Sequence, residues 1–383
     1  MEDHINVAIR IRPLNQREVR NSTTVALNQL PWHVNRDTII QRQYHDGRFS
    51  QGNSYTFDKV FDQKDTTQKV YDNSVKGIIQ STLAGFNGTI FAYGQTSSGK
   101  THTMHGIRDM FSKIAQDERR EYLLRVSFLE IYNEVLRDLL EPSKASLKIH
   151  ENAKREIFVG DLSEHIVFNA EQVEELLAKG DRNRHIAGTN MNERSSRSHT
   201  IFRIVAESRE KSEAGSADSS SQDGDMDVDQ EKHHQRLSSG SLGETGEFTG
   251  AVMVSCLNLV DLAGSERVGL TGAEGQRLKE GGHINKSLLS LSTVIARLSE
   301  DGGDRGHIPY RDSKLTRILQ PSLGGNARTL IICTITPAQD YVEGVAVDAQ
   351  VCVSRQNHPE QARSQRGAAW RCPASSPQAC QRA

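Results

Sequence analysis

An α/β chain with a central, mostly parallel β-sheet flanked by helices is expected from three features of these 383 residues. Short apolar and β-branched runs recur along the chain, as strands covered on both faces do. Stretches with apolar residues at helical spacing alternate with them. Directly after one apolar run, Gly94-Gln95-Thr96-Ser97-Ser98-Gly99-Lys100-Thr101 matches G-x-x-x-x-G-K-[ST]. In that pattern the glycines let successive backbone N–H groups face phosphate oxygens. Lys100 adds a point charge at the β- and γ-phosphates, and the Thr101 hydroxyl is placed to hold Mg²⁺.

In chain order, Asn6-Val7-Ala8-Ile9-Arg10-Ile11-Arg12-Pro13 reads as a strand ending at a proline, and Tyr55–Phe61 as a second strand. Residues 64–84 carry Val70, Val75, Ile78, Ile79 and Leu83 at helical spacing and lead into the strand Gly88–Tyr93. Tyr122–Tyr132 reads as a long strand. Asn133–Leu140 after it reads as a short helix closed by Pro142. Residues 171–187 read as a helix with Val173, Leu176 and Leu177 inward. It leads to the polar stretch Asn192–His199 and the strand Thr200–Val205. Val252–Val260 is a near-continuous apolar strand that ends at Asp261-Leu262-Ala263-Gly264-Ser265-Glu266. An aspartate there suits water-mediated Mg²⁺ binding at a strand's carboxyl end, or a helix N-cap. Ile284–Leu298 is the clearest amphipathic helix, with apolar positions 284, 288, 291, 295 and 298. A basic loop with Arg305, Arg311, Lys314 and Arg317 follows, and Thr329–Ile335 is the last strand.

Net charge is −2, but residues 208–249 hold ten acidic and four basic side chains, so the remainder nets +4. That Ser-, Gly- and Asp-rich insert buries too little apolar surface to offset chain entropy and is expected to be disordered. No apolar run is long enough to span a bilayer, and the N-terminus lacks a secretory layout. Cys256 and Cys333 lie in apolar runs and read as reduced core residues in a cytosolic setting.

In these motifs the chain resembles the kinesin motor domain. The matching segments are Tyr93–Met104, Asn192–His199 as first switch, Asp261–Glu266 as second switch, and Ile284–Leu288 followed by Ile308–Leu319. Leu129–Glu134 matches a further signature of that family. A myosin would lack the Ser198-His199 ending, and a GTPase would want Asn-Lys-x-Asp where Asn285-Lys286-Ser287-Leu288 stands. The resemblance implies a P-loop NTPase that hydrolyses ATP with Mg²⁺ and moves on microtubules, in the cytoplasm and on the microtubule cytoskeleton, including the spindle. Its subfamily resembles the centromere-associated group. No nucleic acid or membrane partner is expected. Full-length members usually dimerise through a coiled coil that these residues do not contain.

Carried over by residue, Arg10, Arg12 and Pro13 would lie beside the adenine. Residues Gly94, Gln95, Thr96, Ser97, Ser98, Gly99, Lys100 and Thr101 would cradle the phosphates. Thr101 and Ser196 would hold Mg²⁺, with Asp261 acting through water. Ser195 and Gly264 would sense the γ-phosphate, and Arg197 and Glu266 would bridge the switches and position the attacking water. Lys286, Arg311, Lys314 and Arg317 would face the microtubule. The resemblance implies a motor domain over residues 1–343. A second reading, from another class, is a nucleotide-regulated microtubule-binding module without motility, or a defective gene model.

Two more features depart from the family. A Pro-Gly-Ile-Ile-Pro-like loop is missing after His105-Gly106, where Ile107–Phe111 follows at once. After Glu343 the chain leaves the family's pattern. One codon choice for Val347–Gln361, read one base later, spells STLKFASRAKTIQNK, the family's next helix. Residues 344–383 are therefore expected to be a frame-shifted or disordered tail.

Overall fold

The computed structural model describes residues 5–14, 32–45, 48–94, 107–186, 197–211, 252–265, 276–299, 307–324 and 327–336. The strands are β1 (Ile5–Ile11), β2 (Trp32–Asn35), β3 (Thr38–His45), β4 (Arg48–Thr56), β5 (Lys59–Phe61), β6 (Asn87–Gly94), β7 (Arg120–Tyr132) and β8 (Val135–Asp138). They continue with β9 (Ala145–Leu147), β10 (Ile149–Glu151), β11 (Ile157–Val159), β12 (His165–Val167), β13 (His199–Glu210), β14 (Met253–Asp261) and β15 (Ala327–Ile335). The helices are α1 (Thr67–Val70), which passes through a π turn (Tyr71–Val75) into α2 (Lys76–Leu83), then α3 (Ile107–Gln116) and α4 (Ala170–Ile186). After β14 come α5 (Gln276–Ser299), a 3₁₀ turn (Tyr310–Asp312), α6 (Lys314–Ile318) and α7 (Gln320–Gly324).

The α/β expectation holds. A large sheet runs β5-β1-β15-β6-β14-β13-β7-β8-β9, with β12 also on β7. From β5 to β14 every pairing is parallel. From β14 outward, β13, β7, β8, β9 and β12 pair antiparallel. Alternation along the strands feeds two cores. On β7, Leu124, Val126 and Phe128 face one side, joined by Ile78 and Ile79 of α2, Met110 of α3 and Val173 of α4. Leu129 and Ile131 face the other, joined by Leu288, Leu291 and Ile295 of α5 and Leu315 of α6. The apolar spacing in residues 284–298 therefore reports a real inward face.

Four expectations are corrected. Asn133–Leu140 is no helix: Tyr132 pairs with Val135, and Asn133 and Glu134 form a two-residue hairpin turn with φ of 51° and 57°. Asn tolerates that left-handed geometry, which suits the twist of the paired strands. Tyr55–Phe61 splits between two sheets, because Asp58 leaves the strand and its Oδ2 accepts from Val7 N at 2.7 Å. The acidic insert starts later than expected. Ser208, Arg209 and Glu210 stay in β13, opposite Tyr122, Glu121 and Arg120, with Arg209 on Glu121 at 2.8 Å. Finally, Cys256 is a free buried thiol, but Cys333 is disulfide-bonded rather than reduced. Most of the insert and all of 344–383 also lie outside the described residues.

Candidate functional site

The site is built where one edge of the parallel core ends. Gly94 closes β6 with φ 141°, a conformation open to glycine and costly for other residues. Its neighbours across the sheet are set by register. Thr334 of β15 pairs with Gly94, and Arg10 of β1 pairs with Thr334. On the other side Asp261 of β14 pairs with Ala92 of β6, and Thr200 of β13 pairs with Asp261. The chain beyond β14 stays against β6: Leu262 N donates to Ala92 O at 3.1 Å and Ser265 N to Gly94 O at 3.3 Å. So Arg10, Gly94, Asp261, Gly264 and the Arg197–His199 segment gather at the carboxyl ends of adjacent parallel strands, where open α/β sheets bind ligands. Gln95–Thr101, Ser195, Ser196 and Glu266 lie outside the described residues.

Each described member has a defined setting. Arg10 is buried enough to lower its basicity, donates from Nη2 to Thr67 Oγ1 at 2.6 Å, and keeps Nη1 buried with no hydrogen-bond partner among the described residues. A buried donor left so calls for an acceptor, as a nucleotide would bring. Arg12 Nη1 donates to Pro13 O at 2.8 Å. Gly264 is buried and Arg197 half-buried.

Two residues to which sequence reasoning assigned no role join the Arg197–His199 and Asp261–Ser265 segments. Arg184, in the last turn of α4, is buried. Its Nε donates to Ser198 Oγ at 3.0 Å, its Nη2 to Ser198 O at 2.8 Å, and its Nη1 lies 3.4 Å from Asp261 Oδ2. One guanidinium therefore holds the backbone at Ser198 and the carboxylate of Asp261 together. His199, fully buried, takes the Ala263 N–H on Nδ1 at 3.0 Å and sits 2.8 Å from Ser287 Oγ of α5 through Nε2. A backbone N–H can only donate, so Nδ1 is the acceptor and, in the neutral ring, Nε2–H donates to Ser287. The only sequence signals were a charged residue at a helix end and the final His of a polar motif; neither names its partner.

The basic surface lies beyond α5. Lys286, Leu289, Thr293 and Arg297 form its exposed stripe, and α5 packs against α6 and the 3₁₀ turn. Arg311 is open to solvent, 3.7 Å from Glu151. Arg317 is turned inward onto Glu151 and donates to Gln320 Oε1 at 2.5 Å. Glu134, from the β7–β8 turn, caps α6: Oε1 accepts from Ser313 Oγ at 2.6 Å and Oε2 from Lys314 N at 2.7 Å.

The kinesin motor domain model matches residues 10–346. The chain belongs to the kinesin motor family. Among relatives, rice kinesin-like protein KIN-7I is 48% identical over 353 residues, covering 89% of this chain and 26% of that protein. Human centromere-associated protein E is 46% identical over 349 residues, covering 88% of this chain and 11% of its own length. A solved structure of a fast kinesin superposes with a TM-score of 0.73 at 35% identity, covering 93% of this chain and 92% of that one. This kinesin domain thus spans about a quarter of the first curated relatives it matches.

Proposed function

We propose that this kinesin chain hydrolyses ATP with Mg²⁺ and couples hydrolysis to microtubule binding and movement on the cytoskeleton. The observation that carries the reading is the junction at Arg184 and His199. It joins the first switch to the second, and through Ser287 to the helix beside the basic surface.

In this reading Gly94 and the loop after it wrap the phosphates, and Arg10 supplies donors on the nucleotide's far side. Mg²⁺, when bound by Thr101 and Ser196 with Asp261 behind a water, would neutralise charge on the transferring phosphoryl group. Arg197 and Glu266 close over the site and orient the attacking water. Loss of the γ-phosphate releases the switch segments. Because Ala263 N–H is bonded to His199 and His199 to Ser287, displacement of the second switch pulls on α5. Lys286, Arg311 and Lys314 would then meet the acidic tubulin surface, where opposite charge steers encounter.

The test is phosphate release with and without microtubules. Stimulated turnover is expected in the parent chain and at least a hundredfold less in Lys100→Ala and Glu266→Ala. Microtubule binding with no turnover in the parent chain would leave a nucleotide-regulated binding module instead. We also propose a motor domain over 1–343 followed by an out-of-frame tail, supported by the family match ending at residue 346.

A further inference from the structure

A second cavity lies at the opposite end of β6 from Gly94. It opens beside Asn87, the first residue of that eight-residue strand, roughly 20 Å from Gly94. Its volume is about 230 Å³. The floor is the face of β7, β13 and β14, and the roof is the α6–α7 turn with β11. Leu129, Leu162, Ile201 and Leu319 supply the apolar half of its walls.

The polar groups in the wall are nearly all engaged with one another. Asn87 Oδ1 accepts from Cys256 N at 3.0 Å. Asn258 Nδ2 reaches Thr89 Oγ1 at 3.2 Å and Ser322 Oγ at 3.4 Å. Glu164 is 3.5 Å from Arg125, which also binds Glu207. Arg203 is the exception. Its one polar contact among the described residues runs from Nε to Cys256 Sγ at 3.0 Å. That thiol is held neutral, since burial pushes its pKa up. Among the described residues the two terminal nitrogens of Arg203 therefore carry neither carboxylate nor carbonyl, and Arg203 lines a cavity whose walls mix polar and apolar side chains. A planar pair of N–H donors in such a setting matches a carboxylate, bound side-on through two parallel hydrogen bonds. Glu164, the other charged side chain in the wall, lies against Arg125, which leaves Arg203 as the anchor; a few placed polar groups beside apolar wall are the common build of small-molecule sites.

We propose that this cavity binds a small organic carboxylate, its charged end on Arg203 and its apolar body between Leu162, Ile201 and Leu319. The site is separate from the nucleotide site and stands whether or not the chain is a motor. A ligand there contacts both the sheet and the α6–α7 turn, so it ties that turn to the sheet and raises the melting temperature.

The experiment is ¹⁹F NMR titration of the full chain with 4-fluorobenzoate and, separately, with the neutral 4-fluorobenzamide. Saturable benzoate binding is expected, with benzamide at least tenfold weaker. Arg203→Gln should weaken benzoate at least tenfold, and Leu162→Trp, which fills the cavity, should abolish it. Saturating MgADP should leave benzoate bound. Equal affinity for the two probes, an unchanged Arg203→Gln, displacement by MgADP, or no saturation by about 10 mM would each overturn the proposal. The two-probe comparison needs no variant, so it decides the matter even if a substitution fails to fold.

Discussion

Arg184 shows how much one side chain can carry. It is buried, spans 77 residues of sequence to reach Asp261, and also binds both polar atoms of Ser198 that a guanidinium can reach. Removing it takes the Arg184 charge away from a carboxylate with 10% of its side-chain surface exposed and frees the Ser198 contacts. Arg184→Ala should therefore cost about 3–5 kcal/mol, read as a lower urea midpoint. Arg184→Lys keeps the charge but loses the planar fork, and should recover part of that stability. A surface pair gives a contrasting prediction. The Tyr122 hydroxyl donates to Asp117 at 2.7 Å and is the main reason the Asp117 carboxyl titrates below the usual carboxylate range. The same contact, after burial, pushes Tyr122 up to about 12. A depressed folded pKa stabilises above the unfolded value, and the contribution is lost as pH falls through the folded value. Tyr122→Phe should move the Asp117 titration upward by NMR. Its effect on stability should be full between roughly pH 4 and pH 10, vanish in stronger acid, and fall away in stronger base as the Tyr122 hydroxyl ionises.

Among the elements, the β7–β8 hairpin is the clearest case of local chemistry misread without its partner strand. Val135–Asp138 has no helical face to bury; Leu136 and Asp138 both turn inward, as alternate residues of a strand do. The turn that makes it a strand also aims Glu134 at α6. With five residues, α6 has few internal hydrogen bonds, so its free N–H groups depend on Glu134 and Ser313. Glu134→Ala should cost about 1 kcal/mol and speed amide exchange at Lys314 and Leu315, with little change in α5. Packing likewise decides α4. Gly180 sits against the Phe128 ring, which meets Phe202 edge-on at 5.2 Å, so even a methyl group at Gly180 would force that aromatic pair apart.

For the whole molecule, the strand order is what turns separate motifs into one site. β6 and β14 are far apart in sequence yet adjacent in the sheet, and β15, near the end of the described chain, inserts between β1 and β6. That insertion places Arg10 two strands from Gly94. The proposal about the chain after Glu343 belongs here as well. A transcript sequenced across the codons for Glu343 and Gly344 should contain one base more or fewer than the printed chain requires, restoring the helix; a transcript that keeps the printed frame would end that proposal.

The strand before Gly94, the phosphate-loop spacing and the inward face of residues 284–298 were legible from the chain alone, because each depends on neighbours within a few residues: backbone freedom, side-chain alternation and helical period. The antiparallel extension at β13 and β7, the hairpin at Asn133, and the joining of Arg184 to Asp261 and of His199 to Ser287 were not. Those rest on contacts between distant segments, whose ends meet only after the sheet has chosen its order, and no local period encodes which distant residue a buried guanidinium or imidazole will find.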